Sequence, residues 1–299
     1  MNTRGMRRRA RNALGPALAA GLLAGCSAAA GPASPTVASP QAGTPVASPL
    51  AGTPDAAEAV QQELVAVIAR VLPSVVEIRT NAGLGSGVVL DSSGDIVTNA
   101  HVVAGASRFQ VLSAASAGAV ATVPGGAAAT PGRSESDDQS PPPLPAVLVG
   151  SCPADDLAVI RVRAAAGLRP ARFGDVTSIA VGDIVLAIGS PLGLGSSVTE
   201  GIVSAVGRSV AEPASTESSA AVLTDVIQTS AAINPGNSGG ALVSVDGDVI
   251  GIPTLAAVNR TAGGAAPGIG FAIPASLAVS VGRELADAGP GDVPRQCHR

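Results

Sequence analysis

From Val75 to Ile273 the chain is a succession of short β-type runs broken by turns rich in Gly, Asp and Ser, and no βαβ rhythm appears among them. The runs are Val75 to Arg79, Gly87 to Leu90, Ile96 to Thr98, Ala146 to Val149, Leu157 to Val162, Ile184 to Ile188, Thr199 to Val206, Val222 to Gln228, Ala241 to Val245, Asp248 to Ile252 and Ile269 to Ile273. Asp91-Ser-Ser-Gly-Asp95 reads as a hairpin turn between two of them. Parallel pairing needs a long crossover, usually a helix, between strands. The pattern therefore predicts an all-β domain, an antiparallel barrel or sandwich. Helix is expected at its edges. Val60, Leu64, Val67, Ile68 and Val71 fall at helical spacing, with Thr53 or Asp55 as N-cap and Pro73 as the stop, and a C-terminal helix closes the domain.

What precedes the β runs has a different character. Arg4, Arg7, Arg8, Arg9 and Arg11 are followed by an apolar run from Ala13 to Ala24, the layout of a signal peptide. The run is too short for a permanent membrane span. Leu23-Ala-Gly-Cys26 resembles a bacterial lipobox, which implies lipidation of Cys26 as the mature N-terminus; the alternative is an ordinary secretory signal cleaved near Ala28 or Ala30. Residues 27 to 54 are almost all Ala, Ser, Pro, Thr and Gly, with the near-repeat Val37-Ala-Ser-Pro-Gln-Ala-Gly-Thr-Pro45 and Val46-Ala-Ser-Pro-Leu-Ala-Gly-Thr-Pro54. Such a segment buries too little to offset its ordering entropy. It is expected to be a disordered tether reaching up to about 80 Å from the anchor. The partition is 1–25 signal peptide, 26–54 tether, 55–285 folded domain and 286–299 tail, with residues 113–145 a disordered insertion and Ala211 to Ala220 a polar loop.

Charge and cysteine usage narrow the classes of function. Five of the 18 basic residues, all arginine, precede Cys26 and none of the 22 acidic residues does, which leaves 13 against 22 beyond it, a charge of −9. That excludes a nucleic-acid-binding balance. Beyond Cys26 stand Cys152 and Cys297; an even pair outside the cytoplasm suits a disulfide, and spacing alone leaves two free thiols equally open. A metal role is not expected there, because no further Cys or paired His lies near them; nor is any cofactor implied by the three residues below, which complete a chemistry by themselves.

Three residues carry a chemistry together. Ser238 lies in Asn234-Pro-Gly-Asn-Ser-Gly-Gly-Ala-Leu242, His101 in Thr98-Asn-Ala-His-Val-Val103, and Asp156 in Asp155-Asp-Leu-Ala-Val-Ile-Arg161. A serine hydroxyl is a poor nucleophile until an imidazole takes its proton and a carboxylate orients that imidazole. The other histidine, His298, sits beside the C-terminus, which makes His101 the sole candidate base. Asp155 or Asp156 supplies the carboxylate. The order His, Asp, Ser is that of chymotrypsin-type double barrels. Gly236, Asn237 and Ser238 form a Gly-rich turn whose N–H groups can converge on a tetrahedral oxyanion.

The sequence resembles the trypsin-like serine proteases of the bacterial HtrA (Deg) type. The resemblance rests on Gly85-Ser-Gly87, the His101 and Asp156 motifs, Gly189-Ser-Pro-Leu-Gly193, Thr199-Glu-Gly-Ile-Val-Ser204, Ile227-Gln-Thr229 with Ala232 to Leu242, and Gly268-Ile-Gly-Phe-Ala-Ile-Pro274, all in order. It implies a chymotrypsin-like double antiparallel β-barrel and a serine endopeptidase with His101 as general base and acid, Asp156 as orienting carboxylate and Ser238 as nucleophile. Asp156 is preferred over Asp155 because it directly precedes Leu-Ala-Val, as in the family. The fold also implies a substrate pocket at Ala232, Ile233, Gly270 and Phe271. Ala232 stands at its base instead of an acid, so cleavage after Val, Ala or Leu is expected rather than after Arg or Lys.

The resemblance has departures. Only 25 residues follow Pro274, so no PDZ domain is expected. The family commonly trimerises through aromatic residues near the start of the protease domain; the three Phe here are at 109, 173 and 271, which leaves the oligomeric state open. Ser230 and Pro253 stand where the family often has Asp and Asn. The expected partners are unfolded or exposed polypeptides and a membrane reached through Cys26, outside the cytoplasm. The rival expectation is a catalytically silent surface lipoprotein that binds peptides on a protease fold.

Overall fold

The structure, a computed structural model, describes residues 56–113, 142–163, 167–190, 196–212, 221–234, 236–259, 264–288 and 297. The expected signal peptide, Cys26, the tether and most of the 113–145 insertion and the 211–220 loop lie outside the described residues. No helix among the described residues is long and apolar enough to cross a membrane.

Twelve strands close into two antiparallel six-stranded barrels. The first holds β1 (Val75–Thr80), β2 (Leu84–Val89), β3 (Asp95–Thr98), β4 (Phe109–Ser113), β5 (Leu144–Cys152) and β6 (Leu157–Val162), in the order β1-β2-β3-β6-β5-β4. The second holds β7 (Ile184–Gly189), β8 (Ser197–Glu212), β9 (Ala221–Thr229), β10 (Ala241–Ser244), β11 (Val249–Asn259) and β12 (Gly264–Pro274), in the order β10-β11-β12-β9-β8-β7. Helix α1 (Ala56–Val71) precedes the first barrel, the single turn α2 (Ala100–Val103) follows β3, and α3 (Ala275–Ala288) follows β12. The all-β double barrel with flanking helices is thus the observed architecture.

Alternation along the strands explains why they read as continuous apolar runs. Val76, Ile78, Val89, Ile96 and Ile160 fill the first barrel, and Val185, Ala187, Leu242, Ile250 and Ala272 the second. Their immediate neighbours Val75, Val88, Val97, Val159, Leu186, Ile188, Ala241, Val243 and Ile273 point the other way, into one cluster shared with Val67 of α1 and Val281 and Leu285 of α3. Successive side chains leave opposite faces of a strand, so here both faces are buried. Each fully buried Val, Ile or Leu contributes about 1.5–3 kcal/mol.

Several boundaries differ from expectation. The insertion is narrower than 113–145, since Ser113 ends β4 and Leu144 opens β5. β4 was not expected as a strand. Its Phe109 and Val111 point inward, but the run is five residues long and abuts the Ala/Gly-rich segment, which masks its period. β8 extends to Glu212 through three register shifts, where Gly207 adopts φ +68°. α3 reaches Ala288, past the expected domain limit at 285, because Leu285 packs into the central cluster and Arg161 bonds the Ala286 carbonyl at 3.4 Å.

Candidate active site

His101 is carried by α2, immediately after β3, and its imidazole is partly exposed. Asp156 follows the 3-10 turn Pro153–Asp155 and takes a left-handed conformation at φ 49°, a region where Asp is over-represented among non-glycines. That kink turns its carboxylate toward α2 while β6 starts at once with Leu157. Asp156 Oδ1 accepts the His101 backbone N–H at 3.0 Å, and His101 Nδ1 lies 3.0 Å from Oδ1 and 2.9 Å from Oδ2. A carboxylate at Nδ1 holds the proton there and leaves the Nε2 lone pair outward. Of the two adjacent carboxylates, Asp156 is the one that meets the imidazole; Asp155 Oδ2 lies 3.3 Å from Cys152 Sγ.

Two further groups hold the carboxylate. Thr254, on β11 in the other barrel, donates its hydroxyl to Asp156 Oδ2 at 2.5 Å, and Asn99 Nδ2 donates to the Asp156 carbonyl at 3.0 Å. Asp156, Thr254 and Asn99 are all buried. Sequence reasoning missed Thr254 and assigned Asn99 no role. The first depends on a contact across 98 residues of chain.

Ser238 sits on the turn between β9 and β10, where its hydroxyl donates to the Thr254 carbonyl at 3.2 Å. Gly236 and Gly239 take φ +106° and +80°. A Cβ at Gly239 would lie 2.3 Å from the Ser86 carbonyl oxygen, so glycine is required there on both counts. Of the three residues expected as oxyanion donors, Asn237 is corrected: its N–H is directed to the Asn234 carbonyl at 3.1 Å and cannot also face the site. The amides of Gly236 and Ser238 have no intramolecular acceptor among the described residues. Gly239 N–H donates to the Pro253 carbonyl at 2.9 Å, so a proline at that position still supplies the needed acceptor.

A cavity of about 180 Å³ opens onto His101, Gly236 and Ser238, with Leu84 and Val102 in its wall. Ala232, Ile233, Gly270 and Phe271 do not line it. The Ala232 carbonyl accepts from Thr199 Oγ1 and Asn237 Nδ2, Ile233 is buried over Gly270, and Phe271 packs in the central cluster. Cys152 and Cys297 are joined as a disulfide with Cα atoms 5.2 Å apart. Among the described residues, no three His, Cys, Asp or Glu are grouped to hold a metal ion.

The sequence model of one family, described as the trypsin-like peptidase domain, matches residues 85–252, a span that contains His101, Asp156 and Ser238. The chain belongs to the trypsin-like peptidases. Its relatives are HtrA- and Deg-type serine proteases. It is 39% identical over 231 residues to the serine protease PepD of Mycobacterium tuberculosis (strain ATCC 25618 / H37Rv), covering 75% of this chain and 46% of that one. It is 38% identical over 212 residues to the probable periplasmic serine protease do/HhoA-like of Haemophilus influenzae (strain ATCC 51907 / DSM 11121 / KW20 / Rd), covering 71% and 38%. Among solved structures, the HtrA-type protease AlgW with a tripeptide superposes with a TM-score of 0.57 at 35% identity, covering 75% of this trypsin-like peptidase and 63% of AlgW. The chain spans less than half the length of both curated relatives.

Proposed function

We propose that the chain is a serine endopeptidase acting outside the cytoplasm on unfolded or exposed polypeptide. The observation that carries this reading is the pairing of His101 Nδ1 with Asp156 at 2.9 Å beside a cavity that Ser238 also lines. In the proposed first step the Ser238 hydroxyl exchanges its bond to the Thr254 carbonyl for one to His101 Nε2, transfers its proton there, and attacks the substrate carbonyl carbon. The resulting oxyanion takes the N–H groups of Gly236 and Ser238, where one donor is typically worth about 3 kcal/mol. His101 then protonates the leaving amine, giving an acyl-enzyme on Ser238 that water, deprotonated by the same imidazole, releases. Asp156 stays ionised throughout and stabilises the imidazolium.

Relatives named as periplasmic proteases and the arginine-led apolar N-terminus support an extracytoplasmic site of action. The proposed anchor is lipid on Cys26, with residues 27–54 as the spacer. Incubating the full chain with a fluorophosphonate probe and with unfolded protein substrates tests the enzymatic reading. Labelling and cleavage by wild type, both absent in Ser238→Ala, are expected. A folded wild type that neither labels nor cleaves overturns the reading and leaves a peptide-binding protein in its place.

A further inference from the structure

The groove between the barrels contains a buried polar chain that the proposed chemistry does not use. Ser86, on β2 of the first barrel, donates its hydroxyl to the Gly236 carbonyl at 2.6 Å and its backbone N–H to the Ser238 carbonyl at 3.0 Å. Its hydroxyl oxygen accepts the Ser190 N–H at 2.8 Å, and its own carbonyl accepts Thr98 Oγ1 at 2.6 Å. Because the Gly236 carbonyl cannot donate, the hydroxyl proton lies on the Ser86 side of that contact. The Ser190 hydroxyl in turn donates to Glu77 Oε2 at 2.7 Å, and Arg79 Nε lies 2.5 Å from Glu77 Oε1. Ser86 and Ser190 are 0% exposed and Glu77 1%.

The peptide planes of the nucleophile turn show what this chain holds. The plane between Gly236 and Asn237 is pinned at both ends, its carbonyl by the Ser86 hydroxyl and its N–H by the Asn234 carbonyl. The plane between Asn237 and Ser238 has its carbonyl bonded by Gly240 N–H at 3.0 Å, which leaves the Ser238 N–H as its outward end. The plane between Ser238 and Gly239 is pinned by Ser86 N–H on one side and the Pro253 carbonyl on the other. Ser86 thus grips alternate carbonyls on either side of the Ser238 amide.

We propose that Ser86 is a positioning residue that fixes the oxyanion-binding amides of the Ser238 turn, and that Glu77 sets Ser86 through Ser190. The inference rests on Ser238 being the nucleophile and names a part of the machinery that lies in the opposite barrel. A buried carboxylate is a strong, directed acceptor, and it fixes the Ser190 hydroxyl. Ser190 then presents its N–H to Ser86, and Ser86 its hydroxyl to Gly236. Without the Ser86 hydroxyl the Gly236 carbonyl loses its anchor in a region of positive φ, and the turn relaxes.

The test uses the full chain carrying Ser86→Ala, which keeps the backbone bond to the Ser238 carbonyl, and separately Ser190→Ala. The measurements are kcat and KM on a chromogenic peptide, the affinity of a peptide boronic acid whose tetrahedral adduct places an oxygen against the two amides, and thermal unfolding. Ser86→Ala is expected to lower kcat about 10- to 100-fold with KM within about twofold, and to weaken the boronate by the same factor. Ser190→Ala should move both in the same direction by about three- to tenfold. Unchanged kcat and boronate affinity in either variant that folds overturns the proposal, as does a loss accounted for by unfolded protein. A wild type inert to substrate and probe instead overturns the proposed function. The clamp is then read by amide hydrogen exchange at Asn237 and Gly239: faster exchange in Ser86→Ala than in wild type upholds it, and equal exchange rejects it.

Discussion

Thr254 reaches from the second barrel to Asp156 in the first, its hydroxyl 2.5 Å from the carboxylate that holds His101. The same residue offers its carbonyl to the Ser238 hydroxyl. One backbone position therefore touches both ends of the proposed catalytic chain. Thr254→Val keeps the shape and the carbonyl but removes the donor from a buried anion, a contact worth about 1.5–3 kcal/mol. The expected outcome is a fall in kcat of about tenfold with little change in KM, while Thr254→Ser stays near wild type. Steady-state kinetics on one peptide check it, and equal kcat for Val and Ser would reject the role.

Asp95 is buried and Arg161 meets it with two guanidinium nitrogens, Nη2 lying 2.8 Å from Oδ2 and Nε 2.5 Å from Oδ1. The hydrogen bond to Asp95 holds the guanidinium above its usual range. Arg161→Met leaves that carboxylate with the Ser93 hydroxyl at 3.4 Å. Since half-exposed Arg161 is partly screened by water, a loss of about 2 kcal/mol is expected rather than the larger cost of a fully buried pair. Urea unfolding measures it, and kcat of the remaining folded protein should not change.

The Cys152–Cys297 bond spans a sequence separation of 145. Cross-linking so long a loop lowers the entropy of the unfolded chain, typically by about 2–4 kcal/mol in net stability. Treatment with a dithiol reductant, or Cys297→Ser, should lower the unfolding temperature by several degrees. Since Cys152 lies four residues before Asp156, kcat in the same samples separates a stability effect from displacement of the carboxylate. An unchanged melting temperature after complete reduction would count against the stabilising role.

Asp175 caps the 3-10 turn Val176–Ser178, accepting the Thr177 N–H at 2.9 Å, and that bond draws its carboxyl below the ordinary range. The folded state thus favours the ionised form. Its contribution to stability is present above the ordinary carboxylate pKa and is lost as pH falls through the lower folded value. Asp175→Ala should lower unfolding temperature near neutral pH, and the gap from wild type should narrow on acidification. A gap constant with pH would disprove the cap's linkage.

Removing Val37 to Pro54 from a lipidated chain should leave turnover of a small soluble peptide unchanged. Cleavage of substrates held away from the membrane should fall, because reach then limits encounter. Cys26→Ser should move the protein out of the membrane fraction. Full recovery of Cys26→Ser in that fraction would exclude the anchor.

Most strands were legible because burial on both faces turns them into unbroken apolar runs, as in Leu157 to Val162 and Ile184 to Ile188. β4 was not, since the run beginning at Phe109 merges with a segment of small residues. The candidate triad was visible because one histidine away from the C-terminus and one Gly-rich serine turn leave little choice. The motif already favoured Asp156 over Asp155, but the left-handed backbone that turns its carboxylate to His101 is a property of the folded turn. Thr254 and Ser86 make contacts between barrels, with partners 98 and 150 residues away, and no local pattern announces such a meeting. The expected pocket residues do not line the cavity at Ser238, and Ile233 packs against Gly270, a contact between residues far apart in sequence.

The seam between the barrels also divides the chemistry. His101 on α2 and Asp156 just before β6 come from the stretch of chain that builds the first barrel, whereas Ser238, Thr254 and the Gly236 amide come from the second. The first barrel by itself supplies a base with no nucleophile. The second barrel brings the two together, and the clamp from Ser86 crosses the same seam. The proposed catalytic chain therefore needs both barrels, since neither alone supplies both the imidazole and the serine.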